Sequence, residues 1–381
     1  MITPCFFPEA FGGGERQALI VAEALGRLGV RVTLATPVIS RDRPRREEMG
    51  FGEIIRFPVR HYPNFGGLRI GSTLAWTGAF VRWFVARRDE FDLIYVIHGR
   101  LHALAGLAAA AATGKPLAVK LGVGGEFSDF AALRAKRWLY GDAVLAWLLR
   151  RTDAFIVNSA MIQQDLDRAG APPERCARIP NGVVTPDRPE VEGAFRMRAG
   201  TRFIFTGRLV EDKRPSVLIQ ALRWAVDKGA DGSLTLVGDG PQTHELRGLV
   251  RDLGLEGRVT FAGRIDEVYP HLLAHDAFVS ASLNEGQSNA LLEAMACGCI
   301  PVVAEASGVE ELVVSGENGF VCGADAAAFA EAMVAIVRMA PAERERLGWA
   351  AHERVRAQAG IDAIAARCLD VFEQLAERRA A

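Results

Sequence analysis

The chain has 381 residues, half of them hydrophobic and 24% charged, with 45 basic against 46 acidic side chains for a net charge of −1. At roughly 100–200 residues per domain it should hold two domains. A chain this apolar and this evenly charged is neither disordered nor a globally basic nucleic-acid binder, whose affinity comes from neutralised phosphates.

In chain order, apolar β-branched runs alternate with amphipathic helical stretches, the pattern of parallel sheets covered on both faces. Met1, Ile2, Thr3 and Pro4 have the tail of a first strand but little of its body, so either the start lies a few residues upstream or the strand is stunted. Strand runs follow at 30–36, 53–59, 92–97, 116–121 and 154–157, with a helix expected over 15–28, where Leu19, Ala22, Leu25 and Leu28 recur at helical spacing. The charged stretch at 185–193, with Pro186 and Pro189, reads as a linker. A second set of strands is expected at 203–205, 233–237, 258–261, 277–280 and 300–303, and a last amphipathic helix at 361–379 carries Ile364, Cys368, Val371, Phe372 and Leu375 on one stripe. Two βα arrays joined by one linker predict two Rossmann-like lobes, with ligands beyond the carboxyl ends of the strands.

The six cysteines, Cys5, Cys176, Cys297, Cys299, Cys322 and Cys368, include no C-x-x-C pair, so no disulfide framework or zinc ribbon is expected and a reducing compartment is the default. Cys297 and Cys299 read as small buried side chains near a helix end. No uncharged run reaches the ~18–20 apolar residues of a membrane span, and no basic-then-apolar leader opens the chain. The expectation is a soluble protein, cytoplasmic or peripheral to the inner face of a membrane.

Four strand-to-helix turns carry the chemistry. The strongest lies after the strand ending near Ser280, where Glu285, Gly286, Gln287, Ser288, Asn289 and Ala290 precede a helix containing Glu293. Gly286 permits a tight turn, Ser288 or Asn289 can cap the helix, and its first N–H groups form an anion site. Two carboxylates so placed suit hydroxyl-rich ligands, since each accepts bonds from adjacent hydroxyls; a capped helix with two solvated glutamates is the plainer reading. The second turn follows Gly207 and carries Arg208 and Lys213 ahead of Pro215, a fork and a point charge suited to a diphosphate. The third is Gly12, Gly13 and Gly14 before the first helix, where backbone N–H groups can approach a phosphate closely. The fourth is the Val237, Gly238, Asp239, Gly240, Pro241 turn.

Together these motifs resemble the retaining glycosyltransferases of the GT-B fold, in the large group called family 4. The resemblance covers nearly the whole chain and is most specific over 203–320, where Glu285 and Glu293 form the E-x7-E signature. It implies an α/β fold of two Rossmann-like βαβ lobes facing across a deep cleft, with a C-terminal helix crossing back to the first lobe. Residues 1–185 with 361–381 would form the acceptor-binding lobe, and 186–360 the nucleotide-sugar-binding lobe. It further implies that Arg208 and Lys213 hold the diphosphate, that Gly12 and Gly13 close on the phosphates, that Glu285 holds donor-sugar hydroxyls, and that Glu293 holds the ribose. Residues Gly286, Gln287, Ser288, Asn289 and Ala290 would contact the sugar and β-phosphate, with Ile265 a candidate for the base pocket.

The donor would be a UDP- or GDP-sugar and the acceptor a glycan or a lipid-linked acceptor of polysaccharide or glycolipid synthesis, with no metal required. The one D-x-D, Asp165 with Asp167, falls in a predicted helix where i and i+2 point apart, so it is rejected as a metal site. Many relatives carry a histidine after the fifth strand that reaches the donor sugar; the segment 116–126 here has none. His98, His102, Lys120 and Glu126 are therefore acceptor-side candidates. Tryptophans and arginines interleave between 68 and 151, including Trp76, Arg82, Trp83, Arg87, Trp147 and Arg150, which suits either core tryptophans beside solvated arginines or docking to an anionic membrane. Two other readings stay open. An NAD-dependent oxidoreductase is disfavoured by the lack of G-x-G-x-x-G with a following acidic residue. A sugar-nucleotide-binding protein without turnover is disfavoured by the intact Arg208, Lys213, Glu285 and Glu293.

Overall fold

The computed structural model describes residues 1–6, 12–40, 42–61, 70–135, 140–197, 201–283, 286–305 and 308–380. Its contacts divide into two units, Met1–Gly182 with Ile361–Ala381, and Val183–Gly360.

Unit 1 runs through α1 (Gly13–Arg27), β1 (Val32–Val38), β2 (Arg46–Met49), β3 (Gly52–Pro58), α2 (Ile70–Val85), β4 (Ile94–Ile97), α3 (Ala103–Thr113), β5 (Leu117–Lys120), α4 (Asp129–Arg134), α5 (Gly141–Arg151), β6 (Ala154–Val157), α6 (Ala160–Arg168) and β7 (Cys176–Arg178). The strands order as β1-β3-β2 and β4-β5-β6-β7, parallel except for the β2–β3 pair. The short N-terminal stretch is the seam between these two groups. Ile2 bridges both Ala35 of β1 and Val96 of β4; its N–H donates to the Tyr95 carbonyl at 2.7 Å and its carbonyl accepts from Ile97 at 2.9 Å. Three residues thus do the pairing of a central strand.

Every residue of β1, β4, β5 and β6 is buried, as strands covered on both faces must be. Strand alternation sends Val96, Leu117, Val119 and Phe155 to one face with Trp76, Phe80, Leu107 and Leu148. The other face carries Tyr95, Ile97, Ala118 and Ile156 against α1 and the C-terminal helix. Trp76 is 1% exposed, and Trp83 packs on Phe57, Phe80 and Phe91 with Arg87 over its ring. Both tryptophans are core residues beside solvated arginines. No helix among the described residues is long and apolar enough to cross a membrane.

Unit 2 runs through α7 (Arg188–Met197), β8 (Thr201–Thr206), α8 (Pro215–Asp227), β9 (Gly232–Val237), α9 (Thr243–Asp252), β10 (Val259–Gly263), α10 (Tyr269–Leu273), β11 (Ala277–Ser280), α11 (Asn289–Ala296), β12 (Ile300–Ala304), β13 (Phe320–Cys322), α12 (Ala326–Arg338) and α13 (Pro341–Ala359). The wholly parallel sheet has the order β10-β9-β8-β11-β12-β13. The order reverses beside β8, the switch point at which open sheets bind ligands. Leu218, Leu222, Leu234, Phe329 and Met333 fill one side of the sheet; Ile204, Phe278, Leu292, Met295 and Val355 fill the other. Cys297 and Cys299 are both fully buried in that second cluster.

The last helix, α14 (Ile361–Ala380), belongs to unit 1. It places Ile364, Ala365, Cys368, Phe372 and Leu375 in the core beside α1, and Arg27 of α1 pairs with Asp362. The stretch expected as a linker is only partly one. From Arg188 it is helical, because Val191 is fully buried and Phe195, one turn on, packs edge-on against Trp349 of α13.

Candidate active site

In unit 2 the candidate residues lie on turns at the carboxyl ends of neighbouring strands. The turn after β8, Gly207 to Leu209, rests on the turn after β9. The Gly207 N–H donates to Val237 at 2.9 Å and the Leu209 N–H to Asp239 at 3.1 Å. Glycine is compulsory here: at Gly238, with φ +128°, a Cβ would stand 1.9 Å from the Gly207 carbonyl oxygen. The Asp239 carboxylate accepts from Gly240 N–H at 2.8 Å and from the Thr243 hydroxyl at 2.6 Å, tying the turn to α9.

These contacts present Arg208 on the surface, its side chain exposed. After it, a short helical turn, Glu211–Lys213, ends at Arg214, which is left-handed (φ +51°) and hands the chain to Pro215 at the start of α8. That conformation costs a non-glycine residue about 1–2 kcal/mol. It swings half-buried Lys213 back over the sheet edge, where its Nζ donates to Ser282 Oγ at 3.4 Å. Ser282 follows β11 and is 4% exposed. Sequence reasoning passed over it, since a lone serine in a loop carries no signal.

Across from this cation, α11 begins. Ser288 is its N-cap, its Oγ accepting from Leu291 N–H at 3.4 Å, and Asn289 and Ala290 form the first turn with their N–H groups directed outward. Gly286 and Gln287 are buried beneath it, and the Gly286 carbonyl is approached by Gly308, whose Cβ would come within 2.3 Å. Glu293 sits in the second turn of α11 and is 9% exposed. Glu285 lies outside the described residues. Ile265, just past β10, is half-buried against the cluster containing Leu291. Arg208, Lys213, Gly286–Ala290 and Ile265 thus share one edge of the sheet: a cation pair, a helix N-terminus and an apolar flank. This set can neutralise a diphosphate and seat a base.

In unit 1 the corresponding edge holds Gly12, the extended N-cap of α1, and Gly13, its first residue. Glu15 folds back over Gly12 and accepts from the Cys5 thiol at 3.0 Å. His98 follows β4 with φ +75°. His102 has no exposed surface; its Nε2 bonds the Ile97 carbonyl at 2.7 Å, and burial drives its pKa down to about 3. It is a neutral strut of the β4–α3 turn and is out of reach of a substrate. Lys120, the last residue of β5, is 3% exposed, and burial lowers its pKa to about 8. It shares the face of Ala118, toward α14, so it too points into the core rather than toward an acceptor. Glu126 is exposed on a helical turn, Gly125–Phe127, and the Gly125 N–H donates to Asp165 at 2.7 Å. Asp165 therefore anchors this turn, while Asp167 accepts from Gln163 on the helix surface.

A buried carboxylate unforeseen from sequence organises this edge. Asp129, 1% exposed, accepts from the Gly99 N–H at 3.2 Å, the Gly122 N–H at 2.9 Å and Arg100 Nε at 2.7 Å. Burial alone would raise its pKa; His98, the Arg100 guanidinium and the Gly122 N–H outweigh that and hold it below the ordinary value. The only sequence signal was an acidic residue opening a short helix.

Comparison with known proteins agrees with this architecture. Residues 12–182 match a family described as glycosyl transferase 4-like domain, and residues 200–339 match the family described as glycosyl transferases group 1. The chain is 30% identical over 313 residues to a 2-deoxystreptamine glucosyltransferase of Streptomyces kanamyceticus, covering 76% of this chain and 79% of that protein. It is 38% identical over 159 residues to the lipopolysaccharide core biosynthesis glycosyltransferase LpsE of Rhizobium meliloti, covering 42% of this chain and 45% of that one. The fold is similar to that of Anabaena HepE, solved with UDP and glucose, at a TM-score of 0.74 and 20% identity over 95% of this chain and 96% of that one. The two-lobed Rossmann-like architecture is that of GT-B proteins, and the chain belongs to the group 1, or family 4, glycosyltransferases.

Proposed function

We propose that this glycosyltransferase takes a sugar from a nucleotide-diphosphate sugar, a UDP- or GDP-sugar, and passes it with retention of configuration to an acceptor hydroxyl on a glycan or lipid-linked acceptor. The observation that carries the donor class is the shared edge of unit 2, where Lys213 meets the Ser282 loop and α11 opens with a capped N-terminus. Sugar transfer builds negative charge on the departing diphosphate and positive charge on the sugar ring. Arg208, Lys213 and the α11 N-terminus answer the first as fixed, preorganised dipoles and charges, without a metal. Glu293 is the ribose ligand of this reading and Glu285 the ligand of the donor-sugar hydroxyls. Gln287 and Ser288 border the sugar and Ile265 the base. The attack comes from the same face as the leaving group, whose phosphate oxygen takes the acceptor proton.

The relatives support the reading. One is a 2-deoxystreptamine glucosyltransferase and another a lipopolysaccharide core biosynthesis glycosyltransferase, and HepE was solved with UDP and glucose. The test is a thermal-shift screen of UDP-, GDP- and ADP-sugars, then hydrolysis assays on the donor that stabilises the chain. Lys213→Ala is expected to cut kcat by about 100-fold or more with the fold unchanged, and Glu293→Ala to weaken nucleotide binding by about tenfold. A chain stabilised by NAD and by no nucleotide sugar would overturn the reading.

A further inference from the structure

His102 and Lys120 point into the core, yet the carboxyl edge of the unit 1 sheet carries a cation that no motif singled out. Arg100 lies in the turn between β4 and α3. Its guanidinium meets Asp129 by one hydrogen bond, from Nε to Oδ1 at 2.7 Å. The two ends of this pair sit in different surroundings: the side chain of Asp129 is 1% exposed and that of Arg100 is 35% exposed. The buried end is rigid. Oδ2 of Asp129 accepts from the N–H groups of Gly99 and Gly122, on the turns after β4 and β5, and Ser128 caps the helix that Asp129 opens. The Arg100 carbonyl accepts from Ala103 N–H at 2.9 Å, closing the turn into α3. Backbone and Nε are both held, which leaves Nη1 and Nη2, the outer part of the fork, outside the pair.

An arginine that served only to neutralise Asp129 would meet it best side-on, with two parallel N–H groups on the two carboxylate oxygens. Here Asp129 commits its second oxygen to backbone and takes a single N–H, so the rest of a planar donor group stands at the half-exposed end. A guanidinium anchored this way is oriented before any ligand arrives, and little further entropy is lost on binding. Its natural ligand is an oxyanion, a phosphate or a carboxylate, met by paired N–H groups. The local field has the matching sign. α1 opens beside the same turn, since a Cβ on Gly14 would lie 2.6 Å from the His98 ring. Its N-cap, Gly12, supplies no side-chain acceptor, so the positive end of that helix adds to the charge of Arg100.

We infer that Arg100 is an oxyanion-binding residue of unit 1, and that the acceptor it selects carries a phosphate or carboxylate group. The inference rests on the glycosyltransferase reading above and narrows its acceptor class. In that reading Arg208, Lys213 and the α11 N-terminus answer the donor diphosphate, so the anion taken by Arg100 is a second one, on the acceptor. Nη1 and Nη2 donate to its oxygens and fix its orientation. A neutral glycan leaves the fork unpaired and is discriminated against on that account.

The full chain, saturated with UDP or GDP so that the donor site is filled, is titrated calorimetrically with glucose 1-phosphate, glucuronic acid and methyl glucoside. The two charged probes separate phosphate from carboxylate, and the neutral one reports contact with the sugar alone. Wild type should bind one of the charged probes about tenfold or more tightly than methyl glucoside. Arg100→Gln should abolish that preference while the nucleotide binds as before, and Arg100→Lys, with the charge but not the fork, should lose most of it. Arg100→Gln leaves Asp129 buried without its cation, so the double variant with Asp129→Asn is measured beside it. Asparagine keeps an oxygen for Gly99 and Gly122 and removes the lone charge; the preference should be lost in this variant too. Equal binding of charged and neutral probes by wild type, or an unchanged preference in either folded glutamine variant, would overturn the inference and leave the parent reading standing. Loss of nucleotide binding in Arg100→Gln would put the anion on the donor and overturn the acceptor assignment. A wild-type chain that neither binds nor hydrolyses any nucleotide sugar would overturn the parent reading as well.

Discussion

At the residue scale, the shape of each candidate turn is set by what is missing from side chains as much as by what is present. Gly238 lets the β8 and β9 turns touch, and Arg208 stands where it does because they touch. Gly238→Ala is expected to destabilise the chain by about 2–4 kcal/mol, since the clash is with backbone and the φ is left-handed. Gly29→Ala, also left-handed but in open space, should cost only about 1 kcal/mol. Urea unfolding of the two variants separates strain from collision, and equal losses would contradict the packing described for Gly238. The same distinction explains which candidate residues the sequence could disclose. Glycines, a Ser-Asn cap and spaced cations mark turns at strand ends, so Arg208, Lys213 and the α11 loop were legible. Ser282 and Asp129 were not, because their meaning lies in contacts 69 and 29 residues away in sequence. Lys120 and His102 misled for the converse reason: polar residues at strand ends read as surface, while strand alternation and a turn carbonyl draw these two inside.

At the element scale, the parallel strands announced themselves as buried β-branched runs, and the long helices as periodic stripes. The strands that went unseen are β2, β7 and β13, of which β2 is a polar ribbon with half its residues exposed and the others are three-residue edges. Such strands are too polar or too short to carry an apolar signature, being formed because a neighbour offers unpaired N–H and C=O groups. The β4–α3 turn carries a consequence for acid stability. His102 has an ordinary pKa of 6.5 and about 3 when folded, so between those values the unfolded chain binds the extra proton. Its contribution to stability is complete above about pH 6.5 and is lost as the pH falls toward 3. His275, also lowered by burial, acts in the same direction. The melting temperature should fall from pH 7 to pH 5, and His102→Gln should flatten that fall. An unchanged slope in the variant would show that other groups govern it.

At the scale of the whole molecule, the near-zero charge is an average over two unlike bodies. Unit 1 carries 27 basic and 21 acidic residues, and unit 2 carries 18 and 25. Each has its own pair of core clusters, so each should unfold as its own cooperative block. Deleting residues 361–381 removes Ile364, Cys368, Phe372 and Leu375 from the core of unit 1. Burial of such side chains contributes about 1.5–3 kcal/mol apiece, so the truncated chain should lose protection from proteolysis across residues 1–182 while 183–360 stays resistant. Loss confined to unit 2 would refute the assignment of α14.

The chain enters unit 2 at Val183 and leaves it after Gly360, two residues bridged to each other, so unit 2 is in effect an insertion closed at its own neck. During synthesis this inverts the usual order in which earlier domains finish first. The half that precedes Val183 cannot cover its sheet until α14, which follows the whole of unit 2 in the chain, has been made. Until then the α1 face of that sheet, with Tyr95, Ala118 and Ile156 uncovered, is a surface that a nascent-chain chaperone would be expected to hold.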